Sequence, residues 1–156
     1  MYFRFPSSFH TSSTNSTNSQ GHPTDWVEIS TRGYIKINFD GTHSSSGAAA
    51  GFIIRDWVGR FIQAGTRFLE GAPILVAEAT AMRDGIQSTL VAGYRNLLVE
   101  GDNKVVIQAI QGHIHISWQI HTLLRDIHNM IPPYVHCLFQ HIYRDCLLYT
   151  SDAADE

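Results

Sequence analysis

The stretch Tyr34-Ile35-Lys36-Ile37-Asn38-Phe39-Asp40-Gly41 alternates strictly: Ile35, Ile37 and Phe39 fall on one side, Lys36, Asn38 and Asp40 on the other. A two-residue period is that of a strand with one buried face. Asp40 is therefore expected to end a strand and to point away from the main apolar face, with Gly41 letting the chain turn there. A second run, Asn96-Leu97-Leu98-Val99-Glu100-Gly101-Asp102, is shorter and rich in strand-favouring residues. It too stops at an acid.

Between these runs the period changes. Leu75, Ala79, Met82, Ile86 and Leu90 recur three or four apart, which predicts a helix over 73–92. Pro73 suits its first turn and Gly93 its end. Glu78 lies four residues before Met82 and eight before Ile86, so it falls on the buried stripe. An ionised carboxylate there is expensive unless it is paired or bound to metal.

A strand, a helix and a strand with short connections make a crossover, which sets the two strands parallel and brings Asp40 and Asp102 to the same sheet edge. In open sheets of this kind that edge is the ligand crevice. Three acids converging there, with no nearby Lys or Arg to neutralise them all, would repel one another without a cation. Oxygen-only ligation selects Mg²⁺ or Mn²⁺ over zinc. Singly, each acid also has a plain structural explanation: Asp40-Gly41 is a common turn pair, and Asp102 could cap the helix expected over 103–111. The case for a metal site rests on the three together.

These residues resemble a known family, the ribonuclease H fold, and in particular the reverse-transcriptase-like ribonuclease H domains abundant in plant genomes and retroelements. The resemblance runs in order through 35–41, through Gly51-Phe52-Ile53-Ile54-Arg55-Asp56 with Gly59-Arg60-Phe61, and through Ala77-Glu78-Ala79. It continues through Val99-Glu100-Gly101-Asp102 and His141-Ile142-Tyr143-Arg144-Asp145. No one motif is specific; five in the right order are. The resemblance implies an α/β fold, a five-stranded mixed sheet flanked by helices, with three antiparallel strands followed by two parallel to the first. It further implies hydrolysis of the RNA strand of an RNA–DNA hybrid by two metal ions held between four carboxylates. Asp40, Glu78 and Asp102 match three of the four, and His141 matches a mobile histidine that assists turnover and product release. As a strand-end residue, His141 could equally be a plain solvent-facing histidine. The fourth acid belongs ten residues past that histidine, at the start of a final helix, where this chain has Ser151; Asp152 stands one residue later.

The remaining patterns fit the same architecture. Ala48 to Arg55 and Arg60 to Phe68 read as a hairpin around Asp56-Trp57-Val58-Gly59. Ile120, Leu123, Leu124, Ile127 and Ile131 share a stripe of a helix over 117–130, which Pro132-Pro133 stops, and 134–142 is a fifth strand. Three segments result: 1–25, a Ser/Thr/Asn-rich leader expected to be disordered; 26–145, the ribonuclease H-like domain; and 146–156, an atypical tail. Residues 148–156 resemble translated adapter sequence, so a non-native tail lacking the final helix is expected.

A chain of 156 residues is of single-domain size. It carries no long apolar stretch to span a membrane. Two cysteines, Cys137 and Cys146, read as free thiols of a reducing compartment, nuclear or cytoplasmic. The acid-free opening segment with Arg4 faintly resembles an organelle transit peptide, and a plain leader is the simpler expectation. Net charge is −3 and pI about 6.3, whereas a strong phosphate binder usually shows a basic face. Trp57 and Trp118 could stack on bases, though packing is the commoner use of such residues. Among nine histidines, His113-Ile114-His115 is the closest pair, but without a nearby cysteine a structural zinc is not expected. His121 and His128 are expected at the surface. Two functions follow: a Mg²⁺-dependent (or Mn²⁺-dependent) ribonuclease acting on RNA–DNA hybrids, or a catalytically inactive domain of the same fold that binds nucleic acid or a protein partner.

Overall fold

The alternation of residues 35–41 persists in the computed structural model, which describes residues 32–143. The leader, Asp152 and the rest of the tail lie outside the described residues. Strand β1 (Ile35–Ser44) buries Ile35, Ile37 and Phe39 and turns Lys36, Asn38 and Asp40 the other way. It then runs on past Asp40. Gly41 pairs with Ala50, Thr42 with Ala49 and Ser44 with Gly47 of β2 (Gly47–Arg55). The turn expected at Gly41 is thus absent, because antiparallel pairing to the small residues of β2 carries the strand four residues further.

Strand β3 (Phe61–Glu70) completes the hairpin, around a turn in which Asp56 Oδ1 accepts the amides of Val58 and Arg60 at 3.0 and 2.9 Å. Its alternation does not translate into a buried face. Phe61 and Phe68 are 68% and 61% exposed, because β3 is an outer strand of the sheet. Only Ile62 and Leu69 pack against the core.

Helix α1 (Ile74–Val91) follows, with Pro73 at its N-cap rather than inside its first turn. Ala79, Met82 and Ile86 are fully buried as the period predicts, with Leu75 and Leu90 partly so. Ala77, Ala81, Thr89 and Gly85 are buried as well. The helix rides low on the sheet: a Cβ on Gly85 would come within 2.7 Å of Ile37 Cγ2. Strand β4 (Asn96–Gly101), helix α2 (Lys104–Ile110), helix α3 (Trp118–Met130) and strand β5 (His136–His141) complete the described chain.

The sheet order is β3-β2-β1-β4-β5. β1, β2 and β3 pair antiparallel, while β4 pairs parallel with β1 and β5 parallel with β4. This is the mixed sheet expected. Ile120, Leu124 and Ile127 of α3 bury against the same core as α1. His128 is not the surface residue expected of it. It is half-buried, with a hydrogen bond to the Ile110 backbone at the end of α2, and its burial lowers its pKa. Cys137 is buried, and burial pushes its thiol up, which makes it an inert core residue. No described helix is long and apolar enough to cross a membrane.

Candidate metal centre

The parallel ladder of β1 and β4 ends at Phe39 opposite Gly101. The residue after each is an acid, Asp40 still within β1 and Asp102 just past the end of β4. Register alone thus sets Asp40 beside Asp102, and the fold brings Glu78 to them from the second turn of α1. Carboxylate oxygens of all three lie within 4.8 Å of one another, and Glu78 is the one buried residue of the group.

Two glycines make this approach possible. A Cβ on Gly41 would lie 3.0 Å from the Glu78 amide nitrogen and 3.1 Å from its Cγ, and one on Gly101 would overlap the Phe39 ring. Neither glycine has a positive φ; each is needed for clearance. The Gly41 N–H donates to Asp40 Oδ1 at 2.9 Å and also favours the charged form of Glu78.

Burial, and then the charges of Asp40 and Asp102, raise Glu78 from 4.5 to about 8. The Gly41 amide and the Asn103 side chain act in the opposite sense but do not compensate. Glu78 Oε2 is buried and accepts no hydrogen bond. A buried oxygen without a donor is costly, and a cation among the three carboxylates would remove both that cost and the mutual repulsion. The donors are oxygen throughout, which fits a hard divalent ion.

His141, at the end of β5, places Nε2 at 3.1 Å from the Asp102 carbonyl oxygen and its ring edge-on to Tyr143, centroids 5.1 Å apart. It is half-buried and held rather than simply solvent-facing. Asp102 does not cap α2. Asn103 does, its side chain accepting from the Val106 amide at 3.2 Å, which leaves the Asp102 carboxylate to the cluster. Sequence reading missed Asn103 because Asp and Asn adjoin and either can cap.

Two residues behind the acids, Asn38 and Glu100 face each other, with Asn38 Nδ2 donating to Glu100 Oε2 at 3.1 Å. Lys36 Nζ lies 3.7 Å from Glu100 Oε1, and Arg55 reaches Asn38 Oδ1 at 3.4 Å. Asn38, Asp40, Arg55 and Thr66 share a shallow cavity of about 530 Å³ on this face of the sheet. Trp57 lies toward the amino end of β1, away from the three acids: its turn follows Arg55, which pairs with Lys36, and Arg32 sits 5.3 Å over its ring. Trp118 opens α3 and is exposed.

The model of the reverse transcriptase-like family matches residues 38–156. Among solved structures, the chain is similar to the RNase H1 of the halophilic archaeon Halobacterium salinarum NRC-1, at 16% identity and a TM-score of 0.66, over 72% of this chain and 88% of that one. It is similar to LC11-RNase H1 in complex with an RNA/DNA hybrid, at 18% identity and a TM-score of 0.61, over 72% and 87%. The prototype foamy virus protease-reverse transcriptase matches at 13% identity and a TM-score of 0.57, over 86% of this chain and 19% of that one. The search of curated proteins found no match.

Proposed function

This chain belongs to the reverse transcriptase-like family and has the ribonuclease H fold, and from that premise we propose that it hydrolyses the RNA strand of RNA–DNA hybrids with the help of bound Mg²⁺ or Mn²⁺. The observation that carries the reading is the convergence of Asp40, Glu78 and Asp102 within 4.8 Å, with a buried Glu78 oxygen that accepts no hydrogen bond. One of the similar structures is a ribonuclease H bound to a hybrid, and the likeness in fold to part of a viral protease-reverse transcriptase accords with descent from a retroelement, which belongs to the same proposal.

Asp40, Glu78 and Asp102 would hold the cations, and Asp152 is the candidate for a fourth ligand. When bound, two such ions activate the attacking water and stabilise the leaving oxygen of an in-line displacement at phosphorus. The protein's part is placement. The β1–β4 register fixes two carboxylates, Gly41 lets the third approach, and Asn103 orients it. His141 stands at the rim, where it assists turnover and release of the cut strand. Lys36 and Arg55, on the sheet face that leads to Asp40, supply positive charge for a phosphate backbone.

Ser151, at the position of the family's fourth acid, favours a second reading: a domain that binds nucleic acid without cutting it. A cleavage assay with Mg²⁺ on a hybrid, an RNA duplex and a DNA duplex of one sequence separates the two. The enzyme reading expects cutting of the RNA strand of the hybrid alone, reduced in Asp152→Asn. Binding of the hybrid with its RNA strand intact would establish the second reading.

A further inference from the structure

Helix α2 reaches the site from both its ends. At its start, Asn103 caps the helix through Oδ1 and hydrogen-bonds Glu78. At its finish, the C-cap residue Gln111 extends its side chain to β5, where Nε2 donates to the Phe139 carbonyl at 2.7 Å.

That carbonyl is on the open edge of the sheet. The amides of His136 and Ile142 donate to Arg95 and Gly101, on the β4 side, at 2.8 and 2.9 Å. Backbone groups of a strand alternate sides, so the odd-numbered residue Phe139 directs its carbonyl away from β4. Among the described residues no strand pairs there. Gln111 thus fixes the outer edge of β5 two residues before His141.

His141 in turn is fixed at the Asp102 carbonyl. A carbonyl oxygen only accepts, so Nε2 carries the hydrogen in that contact. We propose that Gln111 is a positioning residue: by tethering the end of β5 to α2, it holds His141 on Asp102 and at the rim of the acidic cluster. Glu78 and His141 are then oriented by one short helix, through Asn103 and Gln111 respectively.

The catalytic half of this inference rests on the hydrolysis proposed above; the tether does not. Two measurements on the full chain test them separately. In hybrid cleavage with Mg²⁺, Gln111→Ala is expected to lower kcat by about fivefold, the scale of one lost hydrogen bond. Gln111→Lys, which keeps a donor of similar reach, restores most of it. His141→Ala lowers kcat as well, and adding Gln111→Ala to it causes no further loss. If Gln111 acted independently of His141 the two losses would multiply, and if it only stabilised the fold kcat of the folded protein would not fall; either result overturns the proposal. The second measurement, imidazole ¹⁵N spectra of the metal-free protein, needs no activity. His141 is expected as a single Nε2–H tautomer, becoming a mixture in Gln111→Ala. An unchanged His141 signal in that variant refutes the tether. If the wild type leaves hybrids uncut, the hydrolysis reading and the catalytic half fall together, and the imidazole spectrum alone decides the tether.

Discussion

Glu78 is the residue whose environment says most about the site. Its pKa is raised to about 8 against an ordinary 4.5, so between those values the native state keeps a proton that the unfolded chain has lost. Stability of the metal-free protein is therefore full below about pH 4.5 on this residue's account and declines as pH rises towards 8. Glu78→Gln removes the charge and keeps the shape. Thermal melts at pH 8 without metal should show this variant more stable than wild type, and adding Mg²⁺ should raise the melting temperature of wild type only. A variant less stable than wild type at that pH would mean that Glu78 is paired rather than frustrated. Gly41 was legible as a glycine with a purpose, but its purpose was misread, since sequence shows the neighbour in the chain and not the helix passing 3.0 Å away. Gly41→Ala is expected to cost about 1–3 kcal/mol through overpacking and to weaken Mg²⁺ binding, measured by calorimetry. Unaltered affinity would remove Gly41 from the account.

At the scale of elements, what sequence disclosed was the period of each segment. β1, α1 and α3 bury the centre of each predicted alternation or stripe, with Leu75, Leu90, Leu123 and Ile131 only partly covered. β3 escapes this logic because alternation reports a buried face only where something lies over the strand, and an outer strand has little over it. Sequence also could not decide between Asp102 and Asn103 as the cap of α2, a role the fold gives to Asn103. Asn103→Ala should destabilise the protein by about 1 kcal/mol and raise the pKa of Glu78 further, as the loss of a donor to the carboxylate requires. A carboxyl resonance of Glu78 titrating at lower pH in the variant would contradict that sign. His128 joins α3 to the end of α2, and its burial holds its pKa below 6.5. Its contribution is thus present above pH 6.5 and lost as pH falls through its folded value. Urea denaturation at pH 7.5 and 5.5 should show a drop in stability on acidification that is smaller in His128→Gln; an equal drop would assign the loss elsewhere.

For the molecule as a whole, the sheet order brings together three acids, one within β1, one just past β4 and one on α1, though they are 38 and 24 residues apart in the chain. Their convergence was readable because the crossover rule fixes the direction of β4 relative to β1. The anchors around them, Asn103 and Gln111, were not, because their value lies in what folding sets opposite them. The central claim is that the trio holds the divalent ion on which hydrolysis depends. The most direct test is the rate of RNA-strand cleavage in a hybrid as Mg²⁺ or Mn²⁺ is titrated, for wild type and Asp40→Asn. The account predicts a saturable, metal-dependent rate in wild type and a loss on the order of 100-fold or more in the variant, beyond the scale on which outer-shell metal partners are felt. Cleavage that persists without metal, or that survives Asp40→Asn undiminished, would contradict it.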